Sequence, residues 1–69
     1  MLTIFQLRHL PLEEQAHYVW DHGEYSDKKV ELMYTVASYW LGSFWAEVVY
    51  NNISNEIEEI LFKEAFHNN

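Results

Sequence analysis

Glu13, His17 and Asp21 are the residues of this sequence whose types and spacing best suit metal chemistry. They recur every four residues, so a helix would place all three on one side. Carboxylate and imidazole groups bind divalent metals, but zinc sites usually draw three or four ligands from more than one element. The sequence therefore predicts no metal site here. A small metal-dependent or acid/base enzyme that uses Glu13, His17 and Asp21 is the alternative function.

Other forms of catalysis lack their usual motifs. The chain has no cysteine, no serine in a Gly-x-Ser-x-Gly context and only two isolated glycines, which cannot form a phosphate-binding loop. Glu47 stands out among the acids because it falls between Trp45 and Val49 in an apolar segment. If a partner covered that segment, the carboxylate would need Ser38 or a cation to satisfy it. We expect no catalytic residue and no cofactor.

Charge and composition exclude several classes of partner. Four basic and eleven acidic residues give a net charge of −7, which repels nucleic acid, so no nucleic-acid partner is expected. No apolar run approaches the length of a membrane-spanning helix. Residues 1–5 lack the features of a signal peptide, so we expect a cytoplasmic location and no membrane partner. The 69 residues suit a single domain.

The first half of the chain carries helix signals. Thr3 and Gln6 have the spacing of a capping box, which predicts a short helical turn before Pro11. Pro11 suits the first position of a second helix, and Gly23 suits the residue that ends it. Apolar residues at helical spacing form one stripe between them: Leu12, Ala16, Val19 and Trp20. We predict a helix over residues 11–22.

Residues 30–48 fit both a helix and a strand template, so an all-α three-helix fold is an alternative. The β-branched and aromatic residues favour strands, and Gly42-Ser43 matches the two-residue loop of a β-hairpin. That loop fixes the register: Leu41 lies opposite Phe44, and Trp40 lies opposite Trp45. Because side chains alternate between faces, one face is free of charge and should meet the helix stripe. The other face carries six residues: Val36, Ser38, Trp40, Trp45, Glu47 and Val49.

A third strand is predicted over residues 56–63, after the turn-rich segment 51–55. Ile57 and Ile60 would then need a bulge between them to share a face. Their spacing also fits a helix, so residues 56–66 have two interpretations. His67, Asn68 and Asn69 should fray. The predicted fold is α+β, with the helix packed on a three- or four-stranded antiparallel β-meander.

The segment Leu10-Pro11-Leu12-Glu13-Glu14-Gln15, together with Phe44-Trp45-Ala46-Glu47-Val48 and Tyr50, resembles a group of short uncharacterised bacterial proteins. These have a Leu-Pro-x-Glu-Glu-Gln helix followed by an aromatic-rich β-meander. The resemblance covers most of the chain and implies the same fold, with no activity known for the group. This chain departs from the group near its end, where Lys63 stands in place of the last aromatic residue.

Aromatic residues make up 17% of the chain, more than one small domain can bury. Exposed apolar surface often marks a contact with another protein. We therefore expect a small non-enzymatic interaction module that self-associates or binds a protein partner through its aromatic sheet face. The expected contact residues are those of the second face: Trp40, Trp45, Val36, Val49, Glu47 and Ser38.

Overall fold

The first helix begins at the predicted capping box. In the computed structural model, which describes residues 1–65, helix α1 spans Ile4–Arg8. The Gln6 amide donates to Thr3 Oγ1 at 3.1 Å, and the Thr3 amide donates to Gln6 Oε1 at 2.9 Å. Leu7 of this helix is fully buried. The predicted fraying of His67, Asn68 and Asn69 lies outside the described residues.

Helix α2 spans Leu12–His22, one residue shorter than predicted. Pro11 is the N-cap and not the first helical residue, because its extended backbone (ψ 151°) precedes the helix. Gly23 ends the helix as predicted, but in an extended conformation (φ −88°). A Cβ atom at Gly23 would lie 2.5 Å from the carbonyl oxygen of Val19. Glycine is therefore required here by close approach of the backbone.

Four antiparallel strands follow, in the order β1-β2-β3-β4. They span Glu24–Val30, Tyr34–Trp40, Phe44–Asn51 and Ile57–Glu64. The predicted α+β fold is confirmed, and the all-α alternative is wrong. The sheet has the larger of the two predicted strand numbers, because Glu24–Val30 forms a strand that was not assigned from the sequence.

The register of the central hairpin is confirmed. Strands β2 and β3 pair Trp40 with Trp45 and continue in step to Tyr34 and Asn51. Gly42 has a φ of +92°, which glycine adopts without steric cost. The Leu41 amide donates to the Phe44 carbonyl at 2.9 Å and closes the two-residue loop.

Strand β4 contains the predicted bulge. Val49 pairs with Glu59 and Tyr50 pairs with Ile57, so Glu58 is the extra residue. The bulge lets Ile57 and Ile60 share the inner face of the sheet, and the helix interpretation of residues 56–66 is wrong for the described part. A second bulge lies in β1, where Tyr25 pairs with Tyr39 and Asp27 with Ser38. Ser26 is the extra residue there.

The core lies between the two helices and the inner face of the sheet. The helices contribute Leu7, Ala16 and Val19. The sheet and its central loop contribute six more buried residues: Leu41, Phe44, Ala46, Val48, Ile60 and Phe62. The helix stripe is only half covered, since Leu12 is 38% and Trp20 is 43% exposed. Every residue of β1 is exposed.

Two turns at one end of the sheet are joined by Asn52. Its side chain accepts a hydrogen bond from Thr35 Oγ1 at 2.8 Å and donates to the Glu31 carbonyl at 2.9 Å. Its backbone amide donates to the Met33 carbonyl at 2.8 Å. Asn52 therefore ties the β3–β4 turn to the β1–β2 turn. Within residues 1–65, no helix is long and apolar enough to cross a membrane.

Candidate protein-interaction surface

The outer face of the sheet is the side opposite the helices. Its centre is formed by the six predicted residues: Val36, Ser38, Trp40, Trp45, Glu47 and Val49. All six are half-buried by their neighbours in the sheet. The packed core places α1 and α2 on the inner face, and no other element of residues 1–65 covers the outer one. We call these six residues, with Leu61 and Lys63, the tryptophan face.

Trp40 and Trp45 form a cross-strand pair at one end of this face. Their ring centroids are 4.9 Å apart and the ring planes are inclined by 56°. The Leu41–Phe44 hydrogen bond makes the next pair along, Trp40 and Trp45, a non-hydrogen-bonded pair, where side chains come closer together. Such aromatic pairs contribute about 0.5–1.5 kcal/mol beyond area burial. The pair is therefore a preformed apolar surface.

Lys63 supplies the cation that the Glu47 carboxylate would need if a partner covered this face. Lys63 Nζ lies 3.1 Å from Glu47 Oε1, and the lysine side chain is 59% exposed. An exposed ion pair of this kind contributes about 0–1 kcal/mol to stability. Leu61 and Lys63 were missed as members of the face. The register of β4 places them opposite Glu47 and Trp45, and that register depends on the bulge at Glu58.

Two open grooves lie on the tryptophan face; one is at its Trp40–Trp45 end, and the other crosses the face from β1 to β4. The larger has a volume of about 400 Å³ and is lined by Glu24, Tyr25, Ser26, Trp40, Trp45 and Ala65. The second, of about 290 Å³, continues from Ser26 and Trp45 to the Glu47–Lys63 ion pair. The face is therefore concave along β1, and polar groups surround its apolar centre.

The three metal candidates on α2 do not form a site. Among residues 1–65, no three His, Cys, Asp or Glu side chains lie close enough to hold a metal ion. Glu13 and His17 line an apolar groove of about 470 Å³, but Asp21 does not reach it. The His17 ring instead packs edge-on against Trp20, with centroids 5.6 Å apart.

Tyrosines on the inner face of the sheet were not singled out from the sequence. Tyr25 and Tyr39 meet edge to face with centroids 5.7 Å apart. Burial raises the pKa of the Tyr39 phenol, the nearby Tyr50 phenol raises it further, and the neighbouring Trp20 side chain opposes the shift. These tyrosines, with Tyr50, Lys28 and Thr35, are among the residues that line an open groove of about 410 Å³. The hairpin register places Thr35, Tyr39 and Tyr50 on one face, but Tyr25 and Lys28 belong to β1, which was not assigned from the sequence.

The fold and the surface of residues 1–65 define a class: a small α+β protein with two helices on one face of a β-meander and, on the other, an aromatic face that no further element of these residues covers. No protein-family model, curated protein or solved structure matches the chain. The resemblance to the Leu-Pro-x-Glu-Glu-Gln group stays a prediction, and the function has to be inferred from the surface itself.

Proposed function

We propose that this chain is a small non-enzymatic interaction module and that its tryptophan face packs against the same face of a second copy. The observation that carries the proposal is the Trp40–Trp45 pair on the sheet face that no other element of residues 1–65 covers. Val36 and Val49 lie opposite each other farther along the same face, beyond Ser38 and Glu47. The proposed setting is the cytoplasm.

The area of the face is sufficient for a weak interface. Four strands about 4.8 Å apart and seven residues long cover a plane of roughly 450 Å². Two such faces in contact therefore bury about 900 Å² of planar area, close to the lower limit of roughly 1,000 Å² for a specific interface. We expect micromolar or weaker affinity, which suits reversible association.

The charge of the face also supports contact between like copies. The whole chain carries −7, so two copies repel each other over most of their surface. At the centre of the outer face the one acid, Glu47, is balanced by Lys63 at 3.1 Å. Its borders are charged, because the register places Glu59 of β4 and three residues of β1 on the same side: Glu24, Asp27 and Lys29. The neutral centre is the part of this acidic protein where two copies meet with the least repulsion.

The indole N–H signals of Trp40 and Trp45 test the proposal directly. In a concentration series from about 1 µM to about 1 mM, we expect both signals to shift in ¹H–¹⁵N NMR spectra, while sedimentation shows a rising mass. Val49→Lys places a charge on the face and should abolish the indole shifts. Ile53→Lys is the matched control, because Ile53 is 73% exposed in the β3–β4 turn.

Two outcomes would overturn the proposal. Indole signals that do not depend on concentration would show that the face does not contact a second copy. Equal shifts in the wild type and Val49→Lys would show that association occurs elsewhere. Circular dichroism of each variant checks that the sheet is intact.

A further inference from the structure

We infer that strand β1 also pairs antiparallel with β1 of a second copy, which joins two sheets into one of eight strands. Strand β1, Glu24–Val30, is an edge of the sheet, and all seven of its residues are exposed. It pairs with β2 on one side only. Nothing within residues 1–65 covers its other side, so a row of backbone groups is free to bind another strand.

The direction of each backbone group in β1 follows from the turn to β2. The Glu31 amide donates to the Tyr34 carbonyl at 2.7 Å, so Glu31 faces β2. Backbone groups alternate in direction along an antiparallel strand, and those of Val30 and Lys28 therefore point away from the sheet. The extra residue, Ser26, shifts the alternation by one. The next outward residue is Tyr25, three positions before Lys28.

One register satisfies this pattern in both copies. A twofold axis between Ser26 and Asp27 places Tyr25 opposite the partner's Lys28, and Lys28 opposite the partner's Tyr25. Both residues of each pair point their backbone groups at the other strand, so the two pairs form four hydrogen bonds. Tyr25 and Lys28 also lie on the same, inner face, since they pair with Tyr39 and Ala37 of β2. The two bulges lie opposite each other. Each strand therefore has the same number of residues between the two hydrogen-bonded pairs, and both pairs can form.

The pairing of Glu24 with Lys29 favours the same register, although the two Asp27 side chains lie diagonally across its axis. This register places Glu24 opposite the partner's Lys29, and Lys29 opposite the partner's Glu24, at the closely spaced non-hydrogen-bonded positions. A twofold axis at Lys28 or Lys29 would instead bring that lysine opposite its own copy, which is repulsive. Strand β1 has two acids and two lysines, so it is neutral within a chain of charge −7. Within residues 1–65, neither lysine forms a salt bridge that would compete.

This edge contact is separate from the tryptophan face and stands whether or not that face binds a second copy. Its twofold axis is perpendicular to the sheet, so the two tryptophan faces end up side by side on one surface. The proposed contact area for a face-to-face partner is thereby doubled. A chain that makes only one of the two contacts is a dimer, and a chain that makes both can form a tetramer.

A charge exchange tests the edge contact, and we would carry it out in the Val49→Lys background so that face packing does not contribute. Glu24→Lys alone and Lys29→Glu alone each place like charges opposite each other at two sites. Each should weaken dimerisation at least about tenfold in sedimentation equilibrium. An equimolar mixture of the two variants should associate as the parent does, because each substituted position then lies opposite a charge of the other sign. Glu13→Lys on α2 is the control for net charge.

Hydrogen exchange gives a second, direct measurement. The amides of Tyr25 and Lys28 should exchange rapidly in dilute protein and slowly at high concentration. The amide of Lys29 already points at β2 and should exchange slowly at both concentrations. A parent protein that stays monomeric would overturn the inference. So would failure of the mixed variants to recover association, or equal exchange of the Tyr25 amide at all concentrations.

Discussion

Replacing Val48 by alanine should destabilise the protein far more than the same change at its neighbour Val49. Val48 is fully buried on the inner face, and Val49 is half-buried on the tryptophan face. The change removes two carbon atoms, which are each worth about 0.8 kcal/mol when buried, and it leaves a cavity at Val48. We expect a loss of about 2–3 kcal/mol for Val48→Ala. At Val49 water fills the space, and a loss of about 0.5–1 kcal/mol is expected.

Urea unfolding followed by tryptophan fluorescence measures both values. Each variant should be compared with the wild type at one low protein concentration, because association would add apparent stability by mass action. In a domain of this size, Val48→Ala should lower the melting temperature by roughly 10–20 °C. Equal losses at Val48 and Val49 would refute the assignment of the two faces, and with it the position of the helices on one side only.

Substitutions at two further sites and one pH titration have defined outcomes. Gly23→Ala should cost about 1–3 kcal/mol in thermal unfolding, because the new Cβ clashes with the Val19 carbonyl; unchanged stability would mean that the helix end adjusts freely. Asn52→Ala removes the hydrogen bond to Thr35 and should cost about 1–2 kcal/mol, and Thr35→Val measured beside it should lose less. Tyr39 should ionise at higher pH than the other tyrosines in an absorbance titration. Its pKa is raised in the folded state, so the contribution of Tyr39 to folding stability should be constant below about pH 10 and fall above it; a single titration step at the ordinary tyrosine pKa would contradict this.

The central hairpin could be predicted from the sequence because one local signal determines many positions. Gly42-Ser43 allows a tight reversal, and the side-chain period of two then assigns every residue of β2 and β3 to a face. The bulge at Glu58 was predictable for a related reason. Ile57 and Ile60 have odd spacing, and both have to reach the core.

Strand β1 could not be predicted in the same way. Its sequence has charged or polar residues at five of seven positions and shows no alternation of apolar and polar residues. An edge strand with both faces open to water has no buried side to impose such a pattern. Its pairing with β2 comes from the chain direction after Gly23 and from the backbone hydrogen bonds. Neither the chain direction nor the backbone hydrogen bonding can be predicted from the pattern of side chains.

For the candidate site, the sequence predicts which side chains share the tryptophan face but not how deeply they are buried. Trp40 and Trp45 shield each other and are half-buried, whereas Phe5 is 72% and Tyr25 is 53% exposed. Mutual shielding depends on ring orientation, which local sequence does not determine. The ion pair between Glu47 and Lys63 likewise joins residues sixteen positions apart. It could be placed only after the register of β4 was known.

The two edge strands of the sheet differ in how far their outward backbone groups are occupied. Arg8 Nη2 donates to the Phe62 carbonyl at 3.3 Å, so α1 occupies part of the β4 edge, whereas the β1 edge stays open within residues 1–65. Copies that joined head to tail, β1 onto β4, would have to displace this arginine at every step, and an unlimited fibre is disfavoured. Under the proposed edge contact, assembly should therefore end once two β1 edges have paired, because Arg8 of the short first helix already occupies a backbone carbonyl on the β4 edge.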